Sequence, residues 1–329
     1  MKRTVKGKSF KGKEGKYVPE GIITAMVTPF NHQGQCDESA LKQIIEWQIK
    51  GGVHGLLLTA GCGEFVTLND EERKRTLSVA LETVSGRVPV IAGILATSTR
   101  HAVELAQYAE SAGATAVLVL TPYYVSPSMD GVCRHFTLIA ERTSIPIVLY
   151  NNPSRTKIDI DVETLDRLAD IPTVVGLKEC QRDIGLVAER IRVVGNRIAV
   201  LAGDDDLTPP VHLLGGRGDF AITTLIAPEP VVEMWYALER DDWSRALEIY
   251  FDFVLPVFKA ILVQNHPAPI KRMMALTGHS VGSAREPLQP LSAKAEAKMK
   301  EIVLQAMRQV AKLRASGNKS RVRNSGLCR

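Results

Sequence analysis

The chain has 329 residues, of which 45% are hydrophobic, and a formal net charge of +5. This much apolar material supports a large folded core and excludes a chain that is disordered throughout. No apolar run approaches the roughly 20 residues of a membrane-spanning helix, and the Lys- and Gly-rich N-terminus lacks the apolar stretch of a secretory signal. We therefore expect a soluble protein.

The basic charge is concentrated in two terminal segments. Residues 1–20 contain seven Lys or Arg and two Glu, and residues 313–329 contain five Lys or Arg and no acid. Both segments are too polar to bury a core, so we predict disordered basic tails at 1–20 and 313–329. The remaining body is net acidic, which argues against a nucleic-acid partner. Binding of nucleic acid through the tails stays open as an alternative.

The five cysteines predict neither disulfides nor a metal site. Their number is odd, none is spaced as CxxC, and most lie in apolar segments, which is typical of the reducing cytoplasm. They are Cys36, Cys62, Cys133, Cys180 and Cys328.

Between residues 21 and 230, eight short runs rich in Val, Ile and Leu alternate with longer segments of 3.6-residue periodicity. The short runs predict strands at 21–28, 53–60, 88–94, 115–121, 145–151, 173–179, 197–203 and 218–225. The longer segments predict helices, several of which begin with Asp, Asn or Ser and end with Gly. After about residue 230 the strands stop and the helical patterns continue.

Strands that alternate with helices form a parallel sheet, and strands that are apolar throughout are covered on both faces. Eight repeats, without a GxGxxG after the first strand, favour a closed (β/α)8 TIM barrel over an open doubly wound sheet. We predict an α/β fold with the barrel at 21–230 and a small C-terminal helical region at 231–312.

Lys178 stands at the end of the sixth predicted strand, in the segment TVVGLKEC at 173–180. The C-terminal strand ends of a barrel surround its active site, so this lysine is expected in the mouth. Desolvation there lowers the pKa of an amine, and an uncharged amine forms a Schiff base with a carbonyl. The alternative is a lysine whose stem covers apolar surface and whose ammonium group lies in water. Glu179 points to the opposite face of the strand and need not pair with it.

Three tyrosines follow the neighbouring strands. Tyr150 ends the fifth strand, beside Lys178 in a barrel, and a phenol can transfer the protons that carbinolamine formation requires. A buried structural tyrosine is the alternative. Tyr123 and Tyr124 end the fourth strand. The convergence of three tyrosines on one lysine supports a catalytic role.

Polar and glycine-rich loops follow other strands. Gly61 and Gly63 can turn backbone N–H groups toward a carboxylate, although glycines also simply permit turns. Arg155 is either a clamp for a second carboxylate or a solvated loop arginine. The acidic run at 204–206 argues against a phosphate site after the seventh strand. We interpret it as a cap of the next helix rather than as a metal site.

Together these strand ends resemble the dihydrodipicolinate synthase and N-acetylneuraminate lyase family of class I, Schiff-base-forming lyases. The likeness covers about residues 21–310. It rests on motifs in a fixed order: GxGExxTL at 61–68, TPYY at 121–124, LYNNPSRT at 149–156, GLKE at 176–179, AGDD at 202–205 and NHPAPIKRMM at 265–274.

The resemblance implies roles for the residues that bind and activate the first substrate. Lys178 matches the lysine that forms an imine with pyruvate or another 2-oxo acid. Tyr150 matches the tyrosine that relays protons. The loop of Gly61, Cys62 and Gly63 matches the segment whose amides bind the pyruvoyl carboxylate.

Further implied roles concern the second substrate and the assembly. Arg155 matches the arginine that in dihydrodipicolinate synthases binds the carboxylate of the aldehyde. Ala221, at the end of the eighth strand, joins the expected substrate-binding residues. Tyr124 matches a tyrosine delivered across a dimer interface into the neighbouring site, and the family resemblance implies a homotetramer built from dimers.

One loop departs from the family pattern. Typical synthases have G-T-T-G-E where this chain has A-G-C-G-E at 60–64, so Gly61 and Cys62 replace two threonines. The first threonine bridges two tyrosines in a proton relay, and Gly61 has no hydroxyl. A thiol is also a poorer donor than an alcohol. Some keto-deoxy-sugar-acid dehydratases of the family carry a similar G-x-G-E-F loop.

We predict a cytoplasmic lyase that forms an imine between Lys178 and pyruvate and condenses it with aspartate semialdehyde. No metal or organic cofactor is expected, because the imine supplies the activation. Alternatives are an aldolase or dehydratase of 2-keto-3-deoxy sugar acids and an N-acetylneuraminate lyase-like aldolase. A barrel that binds a 2-oxo acid as a sensor is supported only by the altered loop. We expect no membrane or nucleic-acid partner.

Overall fold

Eight parallel strands form a closed barrel in the computed structural model, which describes residues 4–5, 8–263 and 266–324, with side chains from residue 10 to residue 313. The strands follow one another around the barrel in sequence order, and the eighth pairs with the first. They are β1 (Gly21–Ala25), β2 (Gly55–Leu58), β3 (Val90–Ile94), β4 (Ala116–Leu120), β5 (Ile147–Asn151), β6 (Val174–Glu179), β7 (Ala199–Ala202) and β8 (Gly218–Ala221).

Every residue of these strands is buried, as expected for a parallel sheet that helices cover from outside and side chains fill from inside. The predicted (β/α)8 barrel is therefore confirmed. Each strand lies within its predicted range and is shorter.

Helices connect the strands and continue after them. Their N-termini use the predicted caps: Asp37 Oδ1 accepts from the N–H of Ala40, and Asn69 and Glu72 form a capping box. The helices are α1 (Glu38–Lys50), α2 (Asp70–Val84), α3 (Thr99–Ala112), α4 (Met129–Ala140), α5 (Pro153–Thr156), α6 (Val162–Ala169), α7 (Ile184–Val194), α8 (Thr208–Leu213), α9 (Pro228–Glu239), α10 (Trp243–Ile249), α11 (Leu255–Ile261), α12 (Ala268–Leu276) and α13 (Ala293–Asn324).

The observed boundaries differ from the predicted ones. Helix α9 packs against β1 and completes the barrel, so the barrel extends past residue 230. Helix α13 continues to Asn324, beyond the predicted start of a disordered tail at residue 313. None of the helices in the described residues combines the length and apolar character needed to cross a membrane.

The N-terminal segment also departs from the prediction of a disordered tail. The Nζ of Lys13 donates to the carbonyl oxygen of Ala169 at 2.7 Å, and the Phe10 ring lies 4.2 Å from the guanidinium carbon of Arg217. Residues 10–20 therefore pack on the barrel. Residues 1–3, 6–7 and 325–329 of the two predicted tails lie outside the described residues.

The register of β5 and β6 brings two polar pairs together at the mouth. Tyr150 is paired with Lys178, and Asn151 with Glu179. Because side chains alternate along a strand, the first pair faces the barrel interior and the second faces the surrounding helices. The contact of Glu179 with Arg190 of α7 fits this orientation.

Candidate active site

A cavity of about 500 Å³ lies at the C-terminal ends of the barrel strands. Its walls come from the loops after β2, β5 and β7 and from the C-terminal helical region. Its lining includes Cys62, Tyr150, Arg155, Lys178 and His266. Active sites of (β/α)8 barrels lie at this end of the barrel, so the cavity is the candidate active site.

The amine of Lys178 is buried beside two aromatic rings. The residue is 5% exposed, and its Nζ lies 4.8 Å from the centre of the Tyr150 ring and 5.3 Å from that of Phe220. Within the described residues it makes no hydrogen bond or ion pair. A lysine with its head group in solvent does not fit this environment, because the cavity and two aromatic rings surround the amine.

Tyr150 lies beside this amine and keeps its own proton. The residue is 8% exposed, and Asn152 Nδ2 donates to its hydroxyl oxygen at 2.9 Å. Burial raises the pKa of Tyr150 above its ordinary value, although Lys178 opposes this shift. The phenol is therefore protonated near neutral pH and is placed to transfer a proton.

The charge of Lys178 differs from the expected one. Burial alone lowers the pKa of Lys178, but Asp204, and Tyr150 and two cysteines in their ionised forms, favour the ammonium form, and the net pKa is raised. The prediction of an amine kept uncharged by desolvation is wrong, because it left these neighbours out. Lys178 has to lose a proton before it can attack a carbonyl.

The loop after β2 brings backbone amides to the cavity. Gly61 and Cys62 line it, and the described residues contain no acceptor for the backbone N–H of Gly61 or Gly63. A Cβ added to Gly61 would meet nothing within 4 Å, whereas one added to Gly63 would lie 3.1 Å from the backbone of Thr59. The loop can therefore bind an anion through its amides, and it has room for a side chain at position 61.

Cys62 contacts a histidine from the C-terminal helical region. Its Sγ lies 3.3 Å from Nε2 of His266. Burial raises the pKa of Cys62 to about 12. Burial, together with the charges of Arg155 and Lys178, lowers the pKa of His266 to about 4. Near neutral pH the pair is a thiol beside an uncharged imidazole.

Two arginines line the cavity, and one of them is already paired. Arg182 contacts Asp204 at 3.1 Å and Asp206 at 2.5 Å. Arg155 is exposed and has no carboxylate partner within the described residues. The guanidinium of Arg155 is therefore available for a ligand carboxylate.

The acidic run after β7 does not cap the following helix as predicted. Asp205 is fully buried and accepts from the backbone N–H groups of Ile222 and Thr223 at 3.0 and 2.8 Å. It fixes the end of β8, while the acids on either side of it accept from Arg182. Across the part of the chain that the structure describes, no group of three or more His, Cys, Asp or Glu is arranged to hold a metal ion.

Three predicted site residues do not line the cavity. Ala221 is fully buried. Because Phe220 faces the barrel interior, strand alternation turns Ala221 toward the helices, and Ile222 lines the cavity instead. Tyr124 is 98% exposed and has a left-handed φ of 73°. Gly63 supports the loop from behind and accepts a hydrogen bond on its carbonyl oxygen.

Sequence reasoning missed three cavity residues: Asn152, Cys180 and His266. All three lie within or directly after motifs that carry the family resemblance, which is the signal that points to them. The contact between His266 and Cys62 spans 204 positions, so no local pattern indicates it.

The fold and the cavity together define a (β/α)8 barrel with a buried lysine at its mouth, and this lysine makes no hydrogen bond or ion pair with the described residues. The model of the dihydrodipicolinate synthetase family matches residues 18–306. The chain belongs to this family, as the sequence motifs predict.

Known relatives match this chain along nearly their whole length. The 4-hydroxy-tetrahydrodipicolinate synthase of Thermodesulfovibrio yellowstonii is 38% identical over 287 residues, which are 87% of this chain and 98% of that protein. The solved 4-hydroxy-tetrahydrodipicolinate synthase of Methylacidiphilum fumariolicum SolV superposes with a TM-score of 0.87 at 32% identity, over 90% of this chain and 99% of that one. The chloride-inhibited dihydrodipicolinate synthase of Acinetobacter baumannii, solved with pyruvate, gives a TM-score of 0.84 at 32% identity, over 87% and 98%.

Proposed function

We propose that this protein is a lyase that forms an imine between Lys178 and pyruvate and condenses the resulting enamine with aspartate semialdehyde. The observation that carries the proposal is the buried amine of Lys178, which has no partner among the described residues and lies opposite Tyr150. An unpaired buried charge costs stability, so a chemical role accounts for its presence. The names of the relatives support the same reaction.

Imine formation begins with proton transfer. Because the pKa of Lys178 is raised, its ammonium group first gives up a proton, and the amine then adds to C2 of pyruvate. Protonation of the carbinolamine oxygen lets it leave as water. The ammonium proton leaves to solvent. We assign the protonation of the carbinolamine oxygen to Tyr150, whose phenol keeps its proton, faces the amine and receives a hydrogen bond from Asn152.

The loop at 61–63 fixes the pyruvate during these steps. The backbone N–H groups of Gly61 and Gly63 lack protein acceptors within the described residues, and Cys62 lines the same cavity as Lys178. A carboxylate bound there holds C2 of pyruvate within reach of the amine.

The second substrate is an aldehyde that carries its own carboxylate. Arg155 lines the cavity and has no acidic partner in the described part of the chain, so its planar guanidinium is free to bind that group. Aspartate semialdehyde has this arrangement of aldehyde and carboxylate.

A second candidate reaction is the aldol cleavage or dehydration of a 2-keto-3-deoxy sugar acid. The open space at Gly61 favours it, because the hydroxyl of the usual threonine is absent there and a Cβ at this position would meet nothing within 4 Å. A reaction that does not close a ring depends less on that hydroxyl.

Steady-state assays decide between the two candidates. We expect the purified chain to turn over pyruvate with aspartate semialdehyde at a higher kcat/KM than any acid in a panel of 2-keto-3-deoxy sugar acids. If the chain turns over a sugar acid but does not turn over pyruvate with aspartate semialdehyde, the second candidate is the function. Lys178→Ala serves as the inactive control for both assays.

We also infer that the protein is a homo-oligomer and acts in the cytoplasm. Tyr124 is 98% exposed beside Val125 at 55%, which suits a surface covered by a second copy. The four described cysteines are unpaired, which suits a reducing compartment. Sedimentation is expected to give more than one chain per particle, and Tyr124→Ser is expected to weaken the assembly.

A further inference from the structure

A polar pair in the cavity wall has no role in the chemistry proposed so far. It consists of Cys62 and His266, which are 3.3 Å apart between Sγ and Nε2. The other ring nitrogen of His266, Nδ1, is buried and has no hydrogen-bond partner within the described residues. Both residues line the cavity that contains Lys178.

The surroundings of the imidazole indicate which nitrogen carries its proton. A neutral imidazole has one N–H donor and one acceptor nitrogen. Buried N–H groups without an acceptor are rarer in proteins than acceptors without a donor, so we assign the proton of His266 to Nε2. Its N–H then donates to the sulfur of Cys62, which is a weak acceptor. An oxygen of a substrate at this position would accept more strongly than the sulfur does.

His266 lies near both ends of the proposed reaction. After burial, which has the largest effect, the charges of Arg155 and Lys178 each lower the pKa of His266. Both of these side chains line the same cavity as the ring. If Lys178 carries the enamine and Arg155 binds the carboxylate of the aldehyde, the aldehyde group lies in the cavity whose wall includes His266.

We propose that the Nε2–H of His266 donates a hydrogen bond to the aldehyde oxygen while the carbon–carbon bond forms, and that Cys62 holds the ring in position. The inference rests on the imine chemistry of the proposed function. The enamine electron pair forms the new bond to the aldehyde carbon, and the π pair of the aldehyde moves to its oxygen. The alkoxide gains one proton, through Tyr150, and this balances the proton lost from C3 of the pyruvoyl group when the enamine formed.

An uncharged donor suits this step. An imidazolium so close to the protonated imine and to Arg155 would be repelled, whereas a neutral N–H stabilises the growing negative charge on oxygen without adding a positive charge. The same contact serves the cleavage of a 2-keto-3-deoxy sugar acid, in which the oxygen is the C4 hydroxyl. His266 is therefore a catalytic residue in this account, and Cys62 is a positioning residue.

The experiment separates imine formation from bond formation. Wild type, His266→Ala and His266→Gln are compared in two assays: borohydride trapping with pyruvate, and steady-state kinetics with aspartate semialdehyde. If the wild type prefers 2-keto-3-deoxygluconate, the steady-state assay measures cleavage of this sugar acid instead. We expect trapping by His266→Ala to stay within about threefold of wild type, while kcat falls by about 10²-fold. His266→Gln keeps an N–H donor and should recover at least about tenfold of that loss.

The matched control is His32→Ala, which removes an exposed loop histidine outside the cavity. Cys62→Ala should lower kcat about tenfold and Cys62→Ser less, because serine keeps a polar partner for the ring. Wild-type kinetics in His266→Ala would overturn the proposal. So would a parallel fall of trapping, turnover and thermal midpoint, which would mark His266 as structural. If borohydride traps no pyruvate adduct on the wild type, the proposed function itself is contradicted.

Discussion

Lys178 and Glu179 are consecutive buried residues of β6 whose charges have opposite surroundings. Glu179 faces the helices, where Arg190 lies 2.9 Å from its Oε2 and Asn151 donates to its Oε1 at 2.8 Å. Lys178 faces the barrel interior and has no ion pair or hydrogen bond within the described residues. One strand thus carries a satisfied charge on its outer face and an available amine on its inner face.

This difference separates a charge that stabilises the fold from the amine that the proposed reaction uses. Removing one partner of a buried ion pair leaves the other charge uncompensated and destabilises the fold. An unpaired buried amine contributes no such stability, and groups of this kind are concentrated at functional sites. Substitutions on the two faces of β6 should therefore divide cleanly between loss of activity and loss of stability.

The largest effect is expected from Lys178→Met on the inner face. Turnover should fall by at least about 10⁴-fold, because the nucleophile is gone. The free energy of unfolding should stay the same or rise, since methionine fills a similar volume without a buried charge. Steady-state kinetics and urea unfolding measure the two quantities. A loss of several kcal/mol in stability would contradict the distinction between the faces.

Glu179→Ala on the outer face should have the converse effect. It removes the fully buried partner of Arg190, which keeps Asp159 at 2.6 Å as its remaining carboxylate contact. We therefore expect the free energy of unfolding to fall by about 2–3 kcal/mol, less than for a charge left without any partner. The folded fraction should still form a borohydride-trapped adduct at Lys178. Urea unfolding, with Glu179→Gln as a milder variant, tests this expectation, and a change below about 1 kcal/mol would refute it.

Tyr150→Phe sharpens the inner-face argument because it removes only a hydroxyl. We expect imine formation to slow by about 100-fold, as for loss of a general acid–base group. Stability should change by less than about 1 kcal/mol, because the ring beside Lys178 remains and a single hydrogen bond from Asn152 is lost. Single-turnover trapping with pyruvate provides the rate. An unchanged rate would assign the proton transfers to another group.

The smallest effect is expected at Gly61. Gly61→Ala places a Cβ in open space, so stability should rise or fall by no more than about 1 kcal/mol. Gly63→Ala is the matched comparison, and it should cost more because its Cβ would lie 3.1 Å from the Thr59 backbone. Thermal unfolding of the two variants side by side tests the difference. Equal losses would mean that the loop is not open at position 61.

The barrel was predictable because its evidence is local. Each apolar run stands between helical segments, and eight repeats of that unit fit one closed architecture. The position of Lys178 followed from strand alternation, which placed its side chain opposite to that of Glu179. Tyr150 followed from the adjacency of the fifth and sixth strands.

The electrostatic state of the mouth was not predictable in this way. The raised pKa of Lys178 depends on neighbours that include Asp204, from a different strand end. The contact of His266 with Cys62 joins the C-terminal helical region to the loop after β2. Asp205 anchors β8 instead of capping a helix, because its acceptors lie opposite backbone N–H groups at 222 and 223. Such features arise only when distant segments meet.

Borohydride reduction in the presence of pyruvate tests the central claim most directly. We expect intact-protein mass spectrometry to show one reduced pyruvoyl adduct per chain, and peptide mapping to locate it at Lys178. The adduct should be absent from Lys178→Met and present in Glu179→Gln. An unmodified wild-type chain, or an adduct on any other lysine, would contradict the account.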